Sequence, residues 1–150
     1  MAGLTTAMPT SFKGELMTGT HDFTLTTGGT MKLALVKHGP TGTYGAASVN
    51  YSDITGNSDE VSGTGYTAGG LTLTNATPVT SGTTAYTNFT GTIQWTTATI
   101  DADGMMIYNS SKSNKAVGVF DFGGEQKSTA GTFTVNMPVA AAGTAIVRIA

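Results

Sequence analysis

The sequence predicts an all-β fold: a single antiparallel β-sandwich, jelly-roll-like, with one short N-terminal helix and one domain over residues 1–150. Three observations predict it. About eight short runs place apolar residues at every second position, the period of a strand. Turn residues separate these runs at near-regular spacing. Threonine is abundant, and its β-branched side chain fits a pleated strand better than a helix.

The first element is a short helix, predicted at Thr10–Thr18. Phe12 and Leu16 lie four positions apart and therefore on one face, and Thr10 or Ser11 is a candidate cap for the helix start. A helix this short is marginal alone and must dock its apolar stripe. We expect the stripe to cover the core of the domain, with the surface of a partner as the remaining possibility.

The strands begin near Thr30, where Met31, Leu33 and Leu35 occupy alternate positions. The long Gly- and Ser-rich region His38–Gly70 is predicted to hold a short helix or edge strand near Tyr51–Ile54. The further strand candidates are Leu71–Thr74, Ala85–Thr90, Ile93–Thr99, Met105–Asn109, Ala116–Phe122, Thr132–Pro138 and Thr144–Ile149.

Turn chemistry separates these strands. The predicted turns are Ser81-Gly82, Asp103-Gly104, Ser110–Asn114, Gly123-Gly124 and Gly143. The alternation within the strands also predicts which apolar side chains form the core. These core candidates are Leu33, Leu35, Leu71, Leu73, Phe89, Ile93, Trp95, Ile107, Val117, Val119, Phe133, Val135 and Ile146.

Composition narrows the classes of partner. Hydrophobic residues make up 39% of the chain but charged residues only 11%, and the net charge is −2. A nucleic-acid binder needs a patch of Lys and Arg, whereas the basic residues here are spread along the chain. There is no cysteine, no signal-peptide pattern and no run of 18 apolar residues. We therefore expect no nucleic-acid or membrane partner, and synthesis in the cytoplasm.

The glycine-rich stretch Val61–Asn75 is the one candidate for a phosphate-binding loop. Gly63, Gly65 and Gly69 miss the dinucleotide spacing by one residue, and a strand-like alternation follows where a helix is required. The stretch is therefore interpreted as a turn that enters a strand.

Catalytic and metal-binding patterns are equally weak. His21 and His38 lie outside the predicted strands, without a nucleophile in a recognisable motif. The run Asp101-Ala102-Asp103-Gly104 begins like a calcium loop, but Lys112 stands where such a loop needs its closing Glu. Asp-Gly is also a strong hairpin signal, which is the preferred interpretation. The sequence thus predicts no enzyme, cofactor or metal.

Aromatic residues leave one binding mode open. Trp95 alternates with Ile93 in one strand, which favours a place in the core or a subunit interface. A carbohydrate platform formed by Trp95 and the tyrosines remains the alternative, since grouped apolar surface marks binding sites.

Several phrases of the chain resemble small virion structural proteins of tailed bacteriophages, among them capsid cement or decoration proteins. The resemblance covers nearly the whole chain except Lys37–Asp59. The phrases that carry it are TSFKGELMTGTHDF (Thr10–Phe23), EVSGTGYTAGGLTLTN (Glu60–Asn75), WTTATIDADGMMIYN (Trp95–Asn109), DFGGEQKSTAGTFTVNMP (Asp121–Pro138) and AIVRIA (Ala145–Ala150).

This resemblance implies a virion protein on the capsid surface that bridges neighbouring major capsid subunits, with a homodimer or homotrimer as the expected assembly. Its alternatives are a fibre-tip module that recognises host glycan and a tail or neck component. The N-terminal segment, residues 1–29, is the expected partner-contacting arm, together with the loop Thr41–Gly70. The individual side chains expected to contact the partner are Phe12, Leu16, His21, Phe23, Tyr44, Tyr51 and Tyr66.

Overall fold

The computed structural model describes residues 2–150 and shows a mostly β protein, with 46% of residues in strands and 11% in helices. Two α-helices are present within that range, α1 (Thr10–Met17) and α2 (Ser52–Gly56), and a 3₁₀ turn spans Ser110–Lys112. Neither helix is long or apolar enough to cross a membrane. The strands are β1 Gly3–Leu4, β2 Met31–Lys37, β3 Thr43–Tyr44, β4 Leu71–Thr72, β5 Thr74–Asn75, β6 Val79–Ser81, β7 Thr84–Thr87, β8 Phe89–Thr90, β9 Ile93–Asn109, β10 Lys115–Val135 and β11 Val147–Ile149.

A long antiparallel hairpin, β9 and β10, dominates the fold. It belongs to a four-stranded sheet of order β10-β9-β2-β4, in which all neighbours are antiparallel. The predicted turn at Ser110–Asn114 is confirmed, because the 3₁₀ turn and two left-handed residues, Ser113 and Asn114, join the two strands. Asn109 caps this turn by accepting a hydrogen bond from the Ser111 amide.

The hairpin is sharply bent along its length. The rings of Phe122 and Phe133 lie 6.5 Å apart, although both belong to β10 and an extended strand would separate them by more than about 30 Å. Register shifts occur between Asp121 and Gln126 and between Ser128 and Gly131. Such bulges insert unpaired residues and turn a strand away from its plane. The bend thus folds one end of the hairpin towards the other.

Two predicted turns are wrong because the chain continues as one strand through each of them. Asp103-Gly104 lies inside β9 and Gly123-Gly124 inside β10, so neither joins separate strands. An Asp-Gly pair forms a hairpin only if its flanking segments pair with each other, whereas here both pair with β10. A side chain at Gly104 would collide with the Phe120 carbonyl oxygen, so this glycine permits close backbone approach.

A three-stranded antiparallel sheet, of order β11-β7-β6, forms the second main unit of strands. The predicted turn at Ser81-Gly82 joins β6 to β7, and Gly82 adopts the positive φ of 58° that such a turn favours. Two short pairs complete the strands: β1 with β3, which is parallel, and β5 with β8.

Strand β2 is buried on both faces and separates two apolar clusters. Met31, Leu33 and Leu35 belong to the larger cluster, while Ala34 and Val36 belong to the smaller one. The predicted core is largely confirmed. Leu71 and Ile146 are only half-buried against the larger cluster, and the other candidates are buried.

The predicted helices are present, with one correction. Phe12 on α1 is fully buried in the larger cluster and Leu16 packs against it, which confirms that the stripe covers the core. The residue before the helix is Pro9, and neither Thr10 nor Ser11 caps it. The Ser11 hydroxyl instead donates a hydrogen bond to the Ser48 carbonyl oxygen, 3.3 Å away. The short helix expected near Tyr51–Ile54 is α2.

Candidate partner-binding groove

An apolar groove lies between the N-terminal segment and the three-stranded sheet, with a volume of about 300 Å³. Its lining comes from the end of α1 and the segment after it, from the residue before β6, and from β7 and β11. The lining residues are Leu16, His21, Asp22, Phe23, Pro78, Ala85, Tyr86, Thr87, Val147 and Ile149.

The pairing of β11 with β7 explains why the groove is open at one end. Ile149 lies opposite Ala85 and Val147 opposite Thr87, so alternation places all four on one face of the sheet. Val147 and Thr87 are buried, whereas Ala85 and Ile149 are exposed. This face is therefore covered at one end and accessible at the other.

Exposed large apolar side chains gather around the groove. Ile149 lines it and is 58% exposed; Met17, 89% exposed, follows the lining residue Leu16. Leu25 is held on the same side, because its amide donates to the hydroxyl of Thr77, 3.2 Å away. Apolar surface grouped near a groove marks an interaction site more often than scattered single residues do.

His21 fixes the N-terminal wall of the groove. Asn109 accepts two hydrogen bonds from Ser111 through Oδ1, so its amide nitrogen faces His21 Nδ1 at 3.1 Å. Nδ1 must therefore accept, and Nε2 carries the proton donated to Glu15 Oε2 at 2.8 Å. Both ring nitrogens are used, so His21 positions the segment and is not free for proton transfer.

The same network continues to the start of β10. Lys115 Nζ lies 2.5 Å from Glu15 Oε1, which ties α1 to the hairpin. Burial raises the pKa of Glu15, but the hydrogen bonds from Lys115 and His21 outweigh it and hold that pKa below its ordinary value. The wall of the groove is thus anchored by polar contacts beneath its apolar surface.

The structure brings three of the seven predicted contact residues together, since Leu16, His21 and Phe23 all line the groove. Phe12 lies fully buried behind them, with its ring 4.9 Å from that of His21 and 6.1 Å from that of Phe23. The described part of the N-terminal segment is packed on the sheets, with Ala7 bridged to Val119. Its contact with a partner remains a prediction.

The predicted tyrosines lie elsewhere, in the long loop between β2 and β4. The buried Tyr44 donates to Asp59 Oδ2 at 2.5 Å. Tyr51 and Tyr66 donate to the two oxygens of Glu60, at 2.6 and 2.8 Å. None of the three lines the groove. All three hydroxyls bind carboxylates of the same loop and so stabilise its conformation.

The two carboxylates of this loop, Asp59 and Glu60, raise the pKa of the tyrosines whose hydroxyls they bind. Burial, and then the hydrogen bond to Asp59, raise the pKa of Tyr44 to about 12. Burial and Glu60 likewise raise the pKa of Tyr51 and Tyr66 above the ordinary range. Burial raises the pKa of Asp59, but hydrogen bonds led by that of Tyr44 hold it well below its usual value.

One polar cluster offers atoms of the kind that bind metals. Ligand atoms of His38, Asp101 and Glu125 lie within 4.8 Å of one another. Lys127 Nζ already contacts Asp101 at 3.1 Å and Glu125 at 3.2 Å, and His38 Nδ1 contacts Asp103 at 2.7 Å. The hydrogen bond to Asp103 raises the pKa of His38. The cluster therefore forms a set of internal ion pairs at the surface.

Sequence reasoning missed the half of the groove that comes from β7 and β11. The signal was present in the C-terminal alternation, in which Val147 and Ile149 share one face, but nothing in the sequence opposed this strand to residues 16–25. No family model, no curated protein and no solved structure matches the chain.

Proposed function

We propose that this chain is a structural protein of a tailed-bacteriophage virion, most specifically a capsid decoration or cement protein. In this role it binds on the capsid surface and bridges neighbouring major capsid subunits, acting as a homodimer or homotrimer without catalysing a reaction. The observation that carries the proposal is the apolar groove with exposed Met17, Leu25 and Ile149 around it. An apolar segment of a capsid subunit would occupy it.

The energetics of this surface suit permanent assembly. Burying a fully exposed Met, Leu or Ile side chain contributes about 1.5–3 kcal/mol. Met17, Leu25 and Ile149 are 89%, 59% and 58% exposed, so their further burial supports the contact against the cost of association. Because only 11% of the chain is charged, little desolvation of charge opposes binding. Many symmetry-related copies add avidity to a modest single contact.

The sheets supply the rigid platform in this proposal. We infer that the bent hairpin sheet and the three-stranded sheet act together as the antiparallel, jelly-roll-like sandwich that the sequence predicts. The bend supports this inference, because it brings apolar side chains of both ends of β10 to one interior. A platform of this kind resists deformation when capsid subunits move apart.

The experiment is reconstitution on capsids that lack the protein. Purified chain is added, and its copy number and the resistance of the particles to heat and osmotic shock are measured. Stoichiometric binding with raised resistance supports the proposal. Only a few copies per particle, as a tail or neck component would show, contradicts it.

A matched pair of variants tests whether the groove makes the contact. Met17→Ser with Ile149→Ser removes apolar surface at the groove, while Val49→Ser with Val139→Ser removes similar exposed surface outside its lining. The first pair is expected to weaken capsid binding at least about tenfold, from the transfer free energy of two side chains. Equal loss in both pairs would assign the contact to another surface.

A further inference from the structure

A second cavity lies inside the bend of the hairpin. It has a volume of about 510 Å³, within the usual range for small-molecule sites. Phe120 precedes the register shift between Asp121 and Gln126, Phe122 lies within that shift, and Phe133 follows the shift between Ser128 and Gly131. The cavity, here called the bend cleft, therefore exists because the strand turns back on itself.

The bend cleft combines aromatic surface with unused hydrogen-bonding groups. Phe120 and Phe122 are half-buried, so part of each ring faces the cleft. Within residues 2–150, Asn136 makes no side-chain hydrogen bond, and Gln126 makes only a 3.4 Å contact with the carbonyl of Gly124 two residues away. Amide groups with free donors and acceptors beside aromatic rings are typical of a site that orients a polar ligand.

The charge of the cleft narrows the chemical class of that ligand. Its only cationic side chain, Lys127, is held by Asp101 and Glu125 at 3.1 and 3.2 Å. A phosphate or nucleotide would require an unpaired cation, which the lining does not offer. A purely apolar ligand would make no use of the amides of Gln126 and Asn136, which line the cleft at the surface. An uncharged ligand with both apolar and hydroxylated faces satisfies both kinds of lining.

We propose that the bend cleft binds a neutral saccharide, with a sugar ring against Phe120 and Phe122 and its hydroxyls bonded to Gln126 and Asn136. This site is separate from the apolar groove, so its test does not depend on capsid binding. The cleft is open and holds few polar groups, so a single saccharide binds weakly, with Kd in the range of about 1 mM. Multiple copies on one particle would strengthen attachment to a glycan-coated surface.

The test is an NMR titration of the ¹⁵N-labelled full chain with three neutral probes: maltotriose, triacetylchitotriose and lactose. At least one probe is expected to shift the side-chain amide signals of Gln126 and Asn136 in a saturable way. Absence of saturable shifts with all three probes would overturn the proposal, as would saturable shifts confined to amides outside the cleft.

Variants decide whether the shifts arise from the proposed contacts. Asn136→Ala is expected to weaken the bound probe about fivefold, the effect of one hydrogen bond, and Phe122→Ala about tenfold. Gln94→Ala removes an exposed amide from the same hairpin outside the cleft and is expected to leave the affinity unchanged. Equal weakening by Gln94→Ala and Asn136→Ala overturns the proposal, as does binding of 3′-sialyllactose alone, which would demand an available cation.

Discussion

Replacement of the buried Asp59 by asparagine tests how the long loop between β2 and β4 is held. Asp59 Oδ2 accepts hydrogen bonds from Gly42 N at 2.8 Å, Thr41 N at 2.9 Å and the Tyr44 hydroxyl at 2.5 Å. Its Oδ1 lies 3.0 Å from Lys37 Nζ and 3.0 Å from Thr41 N. Every neighbour of this carboxylate is therefore a donor, and its side chain is fully buried.

The expected loss follows from the geometry. An asparagine side chain has one acceptor and one donor group, so either orientation of its amide places the NH₂ against an obligate donor, either the Lys37 ammonium or the Gly42 amide. A hydrogen bond to a charged group contributes about 1.5–3 kcal/mol, and a buried donor left without partner costs about 1–3 kcal/mol. Asp59→Asn is therefore expected to lower the free energy of unfolding at pH 7 by about 3 kcal/mol.

The dependence of this loss on pH supplies a second readout. The pKa of Asp59 in the folded chain is below its ordinary value of 3.8, so its ionised form stabilises the fold above pH 3.8. That contribution is lost as the pH falls below 3.8 towards the folded-state pKa. The stability difference between wild type and Asp59→Asn should therefore narrow from about pH 5 towards about pH 2.

Urea unfolding followed by circular dichroism at several pH values measures both effects. Asp121→Asn is the matched control, because Asp121 is exposed and accepts one hydrogen bond, from the Gly123 amide. It is expected to change stability by less than about 0.5–1 kcal/mol. A loss at Asp59 no larger than this, or one that stays constant across the acid range, would refute the assigned role of the carboxylate.

Two further predictions concern backbone approach and the tyrosine hydroxyls. Gly70→Ala places a Cβ in collision with the backbone carbonyl oxygen of Leu33 in β2, so it is expected to cost more than about 3 kcal/mol. Gly82→Ala, which has a similar φ but open space, should cost only the left-handed strain of about 1–2 kcal/mol in the same urea assay. Tyr66→Phe leaves the Leu35 amide, 3.0 Å from that hydroxyl, without its partner and should cost about 2 kcal/mol in thermal unfolding. Tyr86→Phe removes a hydroxyl that makes no hydrogen bond within residues 2–150 and should be nearly neutral, so equal effects would contradict the role given to Tyr66.

The sequence predicts most strand positions and the core because both depend on local alternation, but two pairs of predicted strands are each one continuous strand, β9 and β10. Leu33 and Leu35 are buried where their period-2 pattern places them, and Trp95 lies in the core as the preferred interpretation requires. Alternation repeats over a few residues and does not depend on the partner strand. The alternation can therefore be recognised in a single sequence.

The length of the two central strands, β9 and β10, could not be predicted from the sequence in the same way. Asp103-Gly104 and Gly123-Gly124 carry the composition of turns, yet β9 and β10 continue through both positions. Whether such a pair turns or remains extended depends on which strands lie beside it, and that information is non-local. The bend cleft depends on the register shifts of β10, so it could not be predicted either.

The candidate contact residues show why a binding site is harder to predict from the sequence than a strand. Aromatic and apolar side chains near the N-terminus are equally suited to a partner surface and to the core, and composition cannot separate the two uses. The structure places Phe12 and Phe23 inside while Met17 and Leu25, a few positions away, are exposed. The position of Leu25 depends on the hydrogen bond from its amide to the Thr77 hydroxyl, a long-range contact that forms only in the folded chain.

The groove and its polar anchors together explain how a surface so poor in charge can still be well defined. The ion pair of Glu15 with Lys115 and the hydrogen bonds of His21 to Glu15 and Asn109 fix the position of the N-terminal wall of the groove. The exposed rim can then consist of Met17 and Ile149 without loss of shape. A preorganised apolar surface binds a partner with a smaller entropic cost than a mobile arm would incur. The proposed docking site therefore depends on the polar network below it as much as on the apolar side chains a partner would cover.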